Sequence, residues 1–331
     1  MNIIFRFNAG GEWGHGHLYR DIALISKLSE IGYECFAIIN KEMSLETKLL
    51  EKKVTYTTVN EYESYEECIY AIESFNLKGE SIIFFDRLNS EKDYYKMIRK
   101  RGYRIISYDD DGDYCLDADI IIKSRPIIKE NRKDIFAGYD YQVIRDEFSI
   151  YHFKEKVYPE KGRKVLIHFG GTDPLGLLAR TYNCLCGCLD IQFLFISGSG
   201  SFDEALSIEI NNKPNMAYIK TSNDFAKDLY EADVAILSGG VTSYECGTVG
   251  TPMILIAQNE DQKFTQDLLE ETVGCCNLGI GSEYAFSRLG EKLMNILDNR
   301  ILRIEISDKE KAVFSTSGID NICKIVKMME E

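Results

Sequence analysis

Apolar residues fall along this chain in two alternating patterns. Short runs such as Ile3 to Phe7 and Ser81 to Asp86 are apolar at nearly every position, as in strands buried on both faces. Between them Leu18, Ile22, Leu24, Ile25 and Leu28 recur at helical spacing, and Gly32 is placed to cap that helix. Further strands are predicted at Glu34 to Asn40, Arg104 to Tyr108 and Ile120 to Ile122, with a helix from Lys92 to Arg101 closed by Gly102. A β-α-β series of this kind builds a parallel sheet with helices on both faces.

The pattern lapses from Lys123 to Lys164, and Tyr158 to Arg163 reads as a polar linker. The alternation then restarts. Strands are predicted at Lys164 to Phe169, Gln192 to Ile196, Val234 to Leu237 and Met253 to Ala257. Helices are predicted at Leu175 to Leu189, Asp224 to Glu231 and Thr242 to Val249, with a charged helical tail from about Ser307. The expected organisation is a first domain over 1–157, a second over 164–306 and a helical segment over 307–331. Each domain ends strands in glycines, and in open α/β sheets ligands lie outside those strand ends. The expected fold is therefore α/β, with two doubly wound parallel-sheet domains facing a cleft.

Composition narrows the function. The 331 residues are 45% hydrophobic and 28% charged, as in a folded globular chain. Lys and Arg number 39 against 53 Asp and Glu, a net charge of −14. That argues against a nucleic-acid binder, which needs a basic face, and against anionic membrane surfaces. A small phosphorylated ligand stays open, because backbone N–H groups at a helix N-terminus can hold one. The ten cysteines form no C-x-x-C pair, and Cys184, Cys186 and Cys188 are spaced so that they share no helix face. They read as reduced apolar residues, which suggests the cytoplasm. No signal peptide and no run of about 18 apolar residues is visible, so no membrane insertion is expected.

Four constellations carry candidate chemistry. Gly10 to Arg20 joins the first strand to the first helix and holds two of the chain's four histidines. Gly14 and Gly16 allow a ligand close to the backbone. His17 falls at the helix start, where it can serve as a base. The segment is neither a dinucleotide fingerprint, since Tyr19 stands at the third glycine position, nor a P-loop, since no G-K-[ST] follows. His168-Phe169-Gly170-Gly171-Thr172-Asp173-Pro174 reads as a phosphate-facing turn, and equally as a helix start with Asp173 as N-cap and Pro174 at the first helical position. Ser238-Gly239-Gly240-Val241-Thr242 offers N–H donors at a strand end, with Glu245 one turn into the next helix as a carboxylate for ribose hydroxyls. Asn259 and Gln262 lie in a polar cluster past another strand, where amides can meet a ligand.

Together these residues resemble the GT-B architecture and, within it, the nucleotide-sugar hydrolases of the PseG/SpsG type. Those enzymes release UDP from UDP-2,4-diacetamido-2,4,6-trideoxy-altrose in pseudaminic acid synthesis. The family pattern G-x-G-H-x-x-R is matched by Gly14, Gly16, His17 and Arg20, and G-G-T-D-P by Gly170 to Pro174. Ser238, Gly239, Gly240, Thr242, Glu245, Gly250, Pro252, Asn259 and Gln262 match the S-G-G-x-T-x-x-E…G-x-P…N-x-x-Q stretch, and Arg145, Glu147 and Phe148 match R-x-E-F. The chain departs from the family's Asp-x-Tyr at Asp86-Arg87-Leu88 and from its Asn-Gln-Asn at Lys123-Ser124-Arg125.

The resemblance implies a UDP-sugar as the small-molecule partner and hydrolysis with inversion. It makes His17 the base, with Gly14, Gly16, Arg20, Asp86 and Asp109 on the sugar side. Gly170, Gly171, Thr172, Ser238, Gly239, Gly240, Thr242, Glu245, Asn259 and Gln262 fall on the nucleotide side. No cofactor or metal is expected, and Asp109-Asp110-Asp111 reads as a solvated or capping turn. The resemblance also suits MurG-like glycosyltransferases, the nearest alternative, in which an acceptor replaces water; an alternative from another class is a nucleotide-sugar binding module without catalysis.

Overall fold

Strand β1 (Asn2–Phe7) is buried at all six positions and is the centre from which the first sheet is wound. It is followed by α1 (Gly16–Glu30), β2 (Glu34–Asn40), α2 (Met43–Glu51), β3 (Thr55–Val59) and α3 (Tyr65–Ser74). Then come β4 (Ser81–Asp86), α4 (Tyr94–Arg99), β5 (Arg104–Tyr108), β6 (Ile120–Lys123) and β7 (Ile135–Ala137). The computed structural model describes residues 1–10, 15–87, 91–126, 134–198 and 200–330. The sheet order is β3-β2-β1-β4-β5-β6-β7, every pairing parallel. The winding reverses between β1 and β4, which puts a switch point at the C-terminal ends of those two strands.

The second sheet repeats the plan. The elements are α5 (Asp146–His152), β8 (Lys164–His168), α6 (Leu177–Leu185), β9 (Gln192–Ile196), α7 (Glu204–Asn211), β10 (Met216–Ile219) and α8 (Phe225–Glu231). They continue with β11 (Val234–Leu237), α9 (Val241–Val249), β12 (Met253–Ala257), α10 (Glu260–Val273), β13 (Cys276–Ile280), α11 (Glu283–Leu297) and α12 (Arg300–Val313). The parallel order β10-β9-β8-β11-β12-β13 has its switch point between β8 and β11. A last helix, α13 (Gly318–Met328), closes the chain.

The chain divides into two compact units: Met1–Val143 with Ser317–Glu331, and Ile144–Thr316. These units cut the chain differently from the limits expected at 157 and 307. Helix α5 lies against α8 and α9, and His152 Nδ1 is 3.0 Å from the Thr248 carbonyl. The stretch 158–163 lies within unit 2, where Gly162 donates its N–H to Leu297 O at 2.8 Å. The C-terminal tract breaks after Val313, and α13 returns to unit 1. There Ile319, Ile322, Ile325 and Val326 join Ile3, Phe5, Phe7 and the apolar stripe of α1 in one core.

Each sheet face has its own layer. In unit 1, α1, α2 and α13 cover the face of Phe5, Phe84 and Ile106. Helices α3 and α4 cover the face of Ile4, Ile83 and Phe85. The alternation along β4 therefore turns Asp86 toward α1. Arg87 goes to the opposite face, where its guanidinium lies over Tyr94 at 4.7 Å and bonds Glu63. Several predicted bounds shift. Helix α4 starts only at Tyr94, because Asp93 before it is left-handed at φ 60. Helix α6 starts at Leu177 rather than Leu175 and ends at Leu185. No helix among the described residues is long and apolar enough to cross a membrane.

Candidate functional site

The unit 1 constellation sits at the β1–β4 switch point. His15 is the N-cap of α1, so His17 is the second residue of the helix and Arg20 and Asp21 follow one turn on. Residues three and four apart share a helix face. All three side chains therefore turn toward the end of β4. His17 Nδ1 lies 2.9 Å from Asp86 Oδ1. Arg20 clasps the same carboxylate with two nitrogens: Nε donates to Oδ2 at 2.6 Å and Nη2 to Oδ1. Its Nη1 donates to Asp109 Oδ2 at 3.1 Å, and its guanidinium lies over the Tyr108 ring at 4.7 Å.

Nδ1 of His17 faces two partners, since Arg20 Nη2 lies 3.2 Å from it besides the Asp86 carboxylate. Burial alone would raise the Asp86 carboxyl, but the adjacent Arg20 and His17 outweigh it and hold the group well below the usual carboxylate range. An ionised Asp86 accepts only, so a proton on Nδ1 is the one its carboxylate can bond. In that tautomer Nε2 carries the lone pair, on a ring whose side chain is 13% exposed. A carboxylate that orients an imidazole in this way prepares it as a base.

The three aspartates after β5 do not act together. Asp109, at φ 54, accepts from Ser124 N and Ser124 Oγ, both at 2.7 Å, besides Arg20. Asp110 is fully buried and accepts from Tyr95 Oη at 2.8 Å and Gly112 N at 2.9 Å. Asp111 meets Lys123 at 2.9 Å and Arg125 at 2.5 Å. The run is therefore not a solvated turn. Each carboxylate ties down different neighbours, and Lys123-Ser124-Arg125 supplies three of the six partner residues. Of the other sugar-side expectations, Gly16 opens α1, while Gly14 lies outside the described residues.

The unit 2 constellation sits at the β8–β11 switch point. Gly198 and Gly200, after β9, face the Gly170-Gly171 turn so closely that a Cβ at Gly198 would fall 2.5 Å from Gly170 O. Likewise a Cβ at Gly239 would lie 2.4 Å from Gln262 O. These glycines serve loop-to-loop approach in the protein itself. Gly240 differs: a Cβ there meets nothing within 4 Å. It is the N-cap of α9, and no side chain caps that helix. Ser238 is buried, and Thr242 is half-buried in the first turn.

The other two helix starts are already occupied. Asp173 caps α6 from four residues before Leu177, accepting from Leu177 N and Leu178 N at 2.8 Å each. The helix thus begins three residues after Pro174, and Asp173 brings its own anion. Thr172 lends its carbonyl, at 3.4 Å, to Gln258 Nε2, which also donates to Phe169 O at 2.7 Å. Asn259 caps α10 by accepting from Gln262 N at 2.9 Å, while Gln262 Oε1 accepts from Gln258 N at 2.8 Å. The two amides assigned to the nucleotide thus spend their oxygens on the helix start, Asn259 as its N-cap and Gln262 on the N–H of the residue before that cap. Helices α6 and α10 thus have their first N–H groups met by Asp173 and Asn259, whereas the N-cap of α9 is a glycine, which has no side chain to offer.

Glu245 is not a solvated first-turn residue. It is 5% exposed, and its Oε1 accepts from Arg145 Nε at 2.8 Å. Burial raises its carboxyl above the ordinary value, and Arg145 opposes that. Arg145 also pairs with Glu147 at 2.7 Å and stacks on Phe148 at 4.7 Å. So the R-x-E-F element acts as the clamp on Glu245, a role its spacing did not reveal. His168, the last residue of β8, bonds the Ile196 carbonyl at 2.9 Å and packs on Phe225, a structural position.

Two switch points of this construction define a fold class. MurG of Acinetobacter baumannii superposes with a TM-score of 0.69 at 12% identity, covering 99% of both chains. The fold is GT-B, two Rossmann-like parallel-sheet units. In sequence the chain is similar over its whole length to the spore coat polysaccharide biosynthesis protein SpsG of Bacillus subtilis. The two are 24% identical over 344 residues, covering 100% of this chain and 99% of that protein. It is also 27% identical over 187 residues to the UDP-2,4-diacetamido-2,4,6-trideoxy-beta-L-altropyranose hydrolase of Campylobacter jejuni. That match spans 52% of this chain and 61% of that protein. No protein-family model matches the chain.

Proposed function

We propose that this protein is a UDP-sugar hydrolase of the GT-B type. Its substrate is a UDP-linked amino-sugar of the 2,4-diacetamido-2,4,6-trideoxy-hexose class. The observation that carries the reading is the 2.9 Å contact between His17 Nδ1 and Asp86, which leaves Nε2 as a base. In the reaction His17 Nε2 takes a proton from water as the water oxygen bonds to C1. The C1–O bond to the β-phosphate breaks, its electron pair leaves with UDP, and C1 inverts. A base of this kind contributes about 10²–10⁴-fold.

Unit 2 holds the nucleotide. The first turn of α9, with Gly239, Gly240 and Thr242, receives the diphosphate through backbone N–H groups and the helix dipole, without a cofactor. Gly170, Gly171 and Thr172 shape the turn beside it, and Glu245 turns to the ribose. Arg20, Asp86 and Asp109 order the sugar side in unit 1. The name of the Campylobacter jejuni relative, a UDP-sugar hydrolase, supports a nucleotide sugar as substrate. The free cysteines fit a reducing, cytoplasmic compartment.

The test is a panel of UDP-linked amino-sugars, with UDP release followed with and without added acceptors. Release in water alone, yielding free sugar of inverted configuration, supports the reading. Release only when an acceptor is present makes the protein a glycosyltransferase. Binding without release makes it a nucleotide-sugar binding module.

A further inference from the structure

One buried acid beside His17 has no place in the reaction as written. Asp21 follows Arg20 on α1 and is 1% exposed. Its carboxyl lies within hydrogen-bonding reach of that of Asp86, and its buried Oδ2 meets no donor. Arg20 spends its nitrogens on Asp86 and Asp109 instead. Two carboxyl groups in hydrogen-bond contact share a proton, since two bare carboxylates would repel and neither could donate. Asp86 is the one kept ionised, because Arg20 and His17 both bond it.

We propose that Asp21 is a permanently protonated carboxylic acid that donates its O–H to Asp86 and is a positioning residue for His17. The inference takes its catalytic meaning from the hydrolase reading above. With Asp21 neutral, Asp86 accepts from Arg20, His17 and Asp21, so its lone pairs are directed and the imidazole is held in one orientation. The local charge is then two carboxylates, Asp86 and Asp109, against one guanidinium. An ionised Asp21 would add a third buried negative charge and favour the imidazolium form of His17, which cannot act as a base. Burial and the Asp86 charge both push the Asp21 carboxyl well above the ordinary range, and Arg20 opposes them more weakly. The charged groups facing this acid are Asp86 from β4 and Arg20 from its own helix.

The experiment reads protonation directly and needs no substrate, so its failure is separate from failure of the hydrolase reading. Infrared spectra of the whole protein at neutral pH are taken for wild type and Asp21→Asn. The expected difference spectrum contains the C=O stretch of one protonated carboxylic acid. Subtraction is needed because Glu310 is also fully buried with both oxygens unpartnered, and burial pushes its carboxyl upward, so a second band of this kind would overlap. In parallel the four histidines are followed by NMR through a pH titration. Asp21→Asn keeps the charge and a donor, so the His17 midpoint should stay where it is in wild type. Asp21→Leu removes the donor, leaves Asp86 more basic, and should move the His17 midpoint upward. No acid band in the difference spectrum overturns the proposal. So does a fall of about one pH unit in the His17 midpoint for Asp21→Asn, the effect of deleting a neighbouring negative charge.

Discussion

His17 and Asp86 meet at 2.9 Å across the β1–β4 switch point, and Arg20 holds the far side of the same carboxylate. This relationship makes different predictions for the two residues. In the proposed reaction, replacing His17 by Ala or Asn removes the base, so turnover should fall by at least about 10²-fold while UDP affinity, assigned to unit 2, should stay nearly unchanged. Replacing Asp86 by Asn should slow turnover as well, because the amide can present a donor to Nδ1 and reverse the tautomer. It should also lower stability by about 3–5 kcal/mol, since Arg20 is left buried with a broken pair. Steady-state kinetics, UDP calorimetry and denaturant unfolding on both variants check this. A His17→Ala enzyme that loses UDP affinity but keeps turnover would refute the assignment of the base.

Much of that arrangement was legible in the sequence, and the part that was not has a physical cause. Strands ending in Asp86 and in Gly-Gly turns announce themselves, because apolar runs stop abruptly at small or charged residues. The spacing of His17 and Arg20 on one helix was also plain. Asp21 lies on the buried stripe of Leu18, Ile22 and Ile25, and an acid there is the signal that was passed over. Asn259 and Gln262, expected as ligand amides, stand at the start of α10, where the Asn259 side chain accepts from Gln262 N. Strand β3 escaped notice because Thr55–Val59 is a half-exposed edge with little apolar pattern. The return of α13 to unit 1 could not be read at all, since an amphipathic stripe does not say which sheet it covers.

The diphosphate site proposed at the start of α9 is tested at Gly240. A methyl group there meets no protein atom within 4 Å, and the residue sits at φ −102. Gly240→Ala should therefore fold normally and lose UDP affinity by roughly tenfold, about 1.4 kcal/mol, because the Cβ intrudes on the diphosphate. UMP affinity should change less. Gly239→Ala is the contrasting control: its Cβ would strike Gln262 O, so it should lose stability whatever the ligand.

Glu245 now carries two expected costs. Glu245→Ala should weaken UDP binding by roughly 1.5–3 kcal/mol, the range for hydrogen bonds to a charged partner. Because the residue is buried against Arg145, the variant should also melt earlier than wild type. Titration with 2′,3′-dideoxy-UDP separates the two effects. If wild type binds it as tightly as UDP, Glu245 has no ribose to hold and is only the anchor of α5.

Lys156 gives a pH signature. It donates to Ala232 O at 2.7 Å and Thr251 Oγ1 at 2.8 Å, and burial lowers its ammonium from 10.5 to about 8. Between those values the unfolded chain binds more protons than the folded one, so this residue makes stability rise with pH across that window. Below about 8 the folded protein bears the whole cost of a buried charge. Subtracting the stability profile of Lys156→Met from that of wild type should leave a rising segment over this window. A flat or falling difference would count against it.

Catalysis should persist in excess EDTA. A metal-dependent sugar-nucleotide enzyme uses carboxylates to hold a divalent ion against the diphosphate. The most acidic run in the chain, Asp109-Asp110-Asp111, has its carboxylates committed elsewhere. Asp109 serves Arg20 and Ser124, Asp110 serves Tyr95, and Asp111 serves Lys123 and Arg125. Releasing them for an ion would leave Arg20 short of a partner and loosen the hold on Asp86. The run also belongs to unit 1, whereas the uncapped helix start lies in unit 2. In the metal-free reaction the charge on the departing diphosphate is met by the N–H groups of α9 and the helix dipole. UDP release with and without EDTA, then with Mg²⁺ or Mn²⁺ restored, decides the matter. Activity that vanishes with the chelator and returns with either ion would make the aspartate run a metal site and require its present partners to let go.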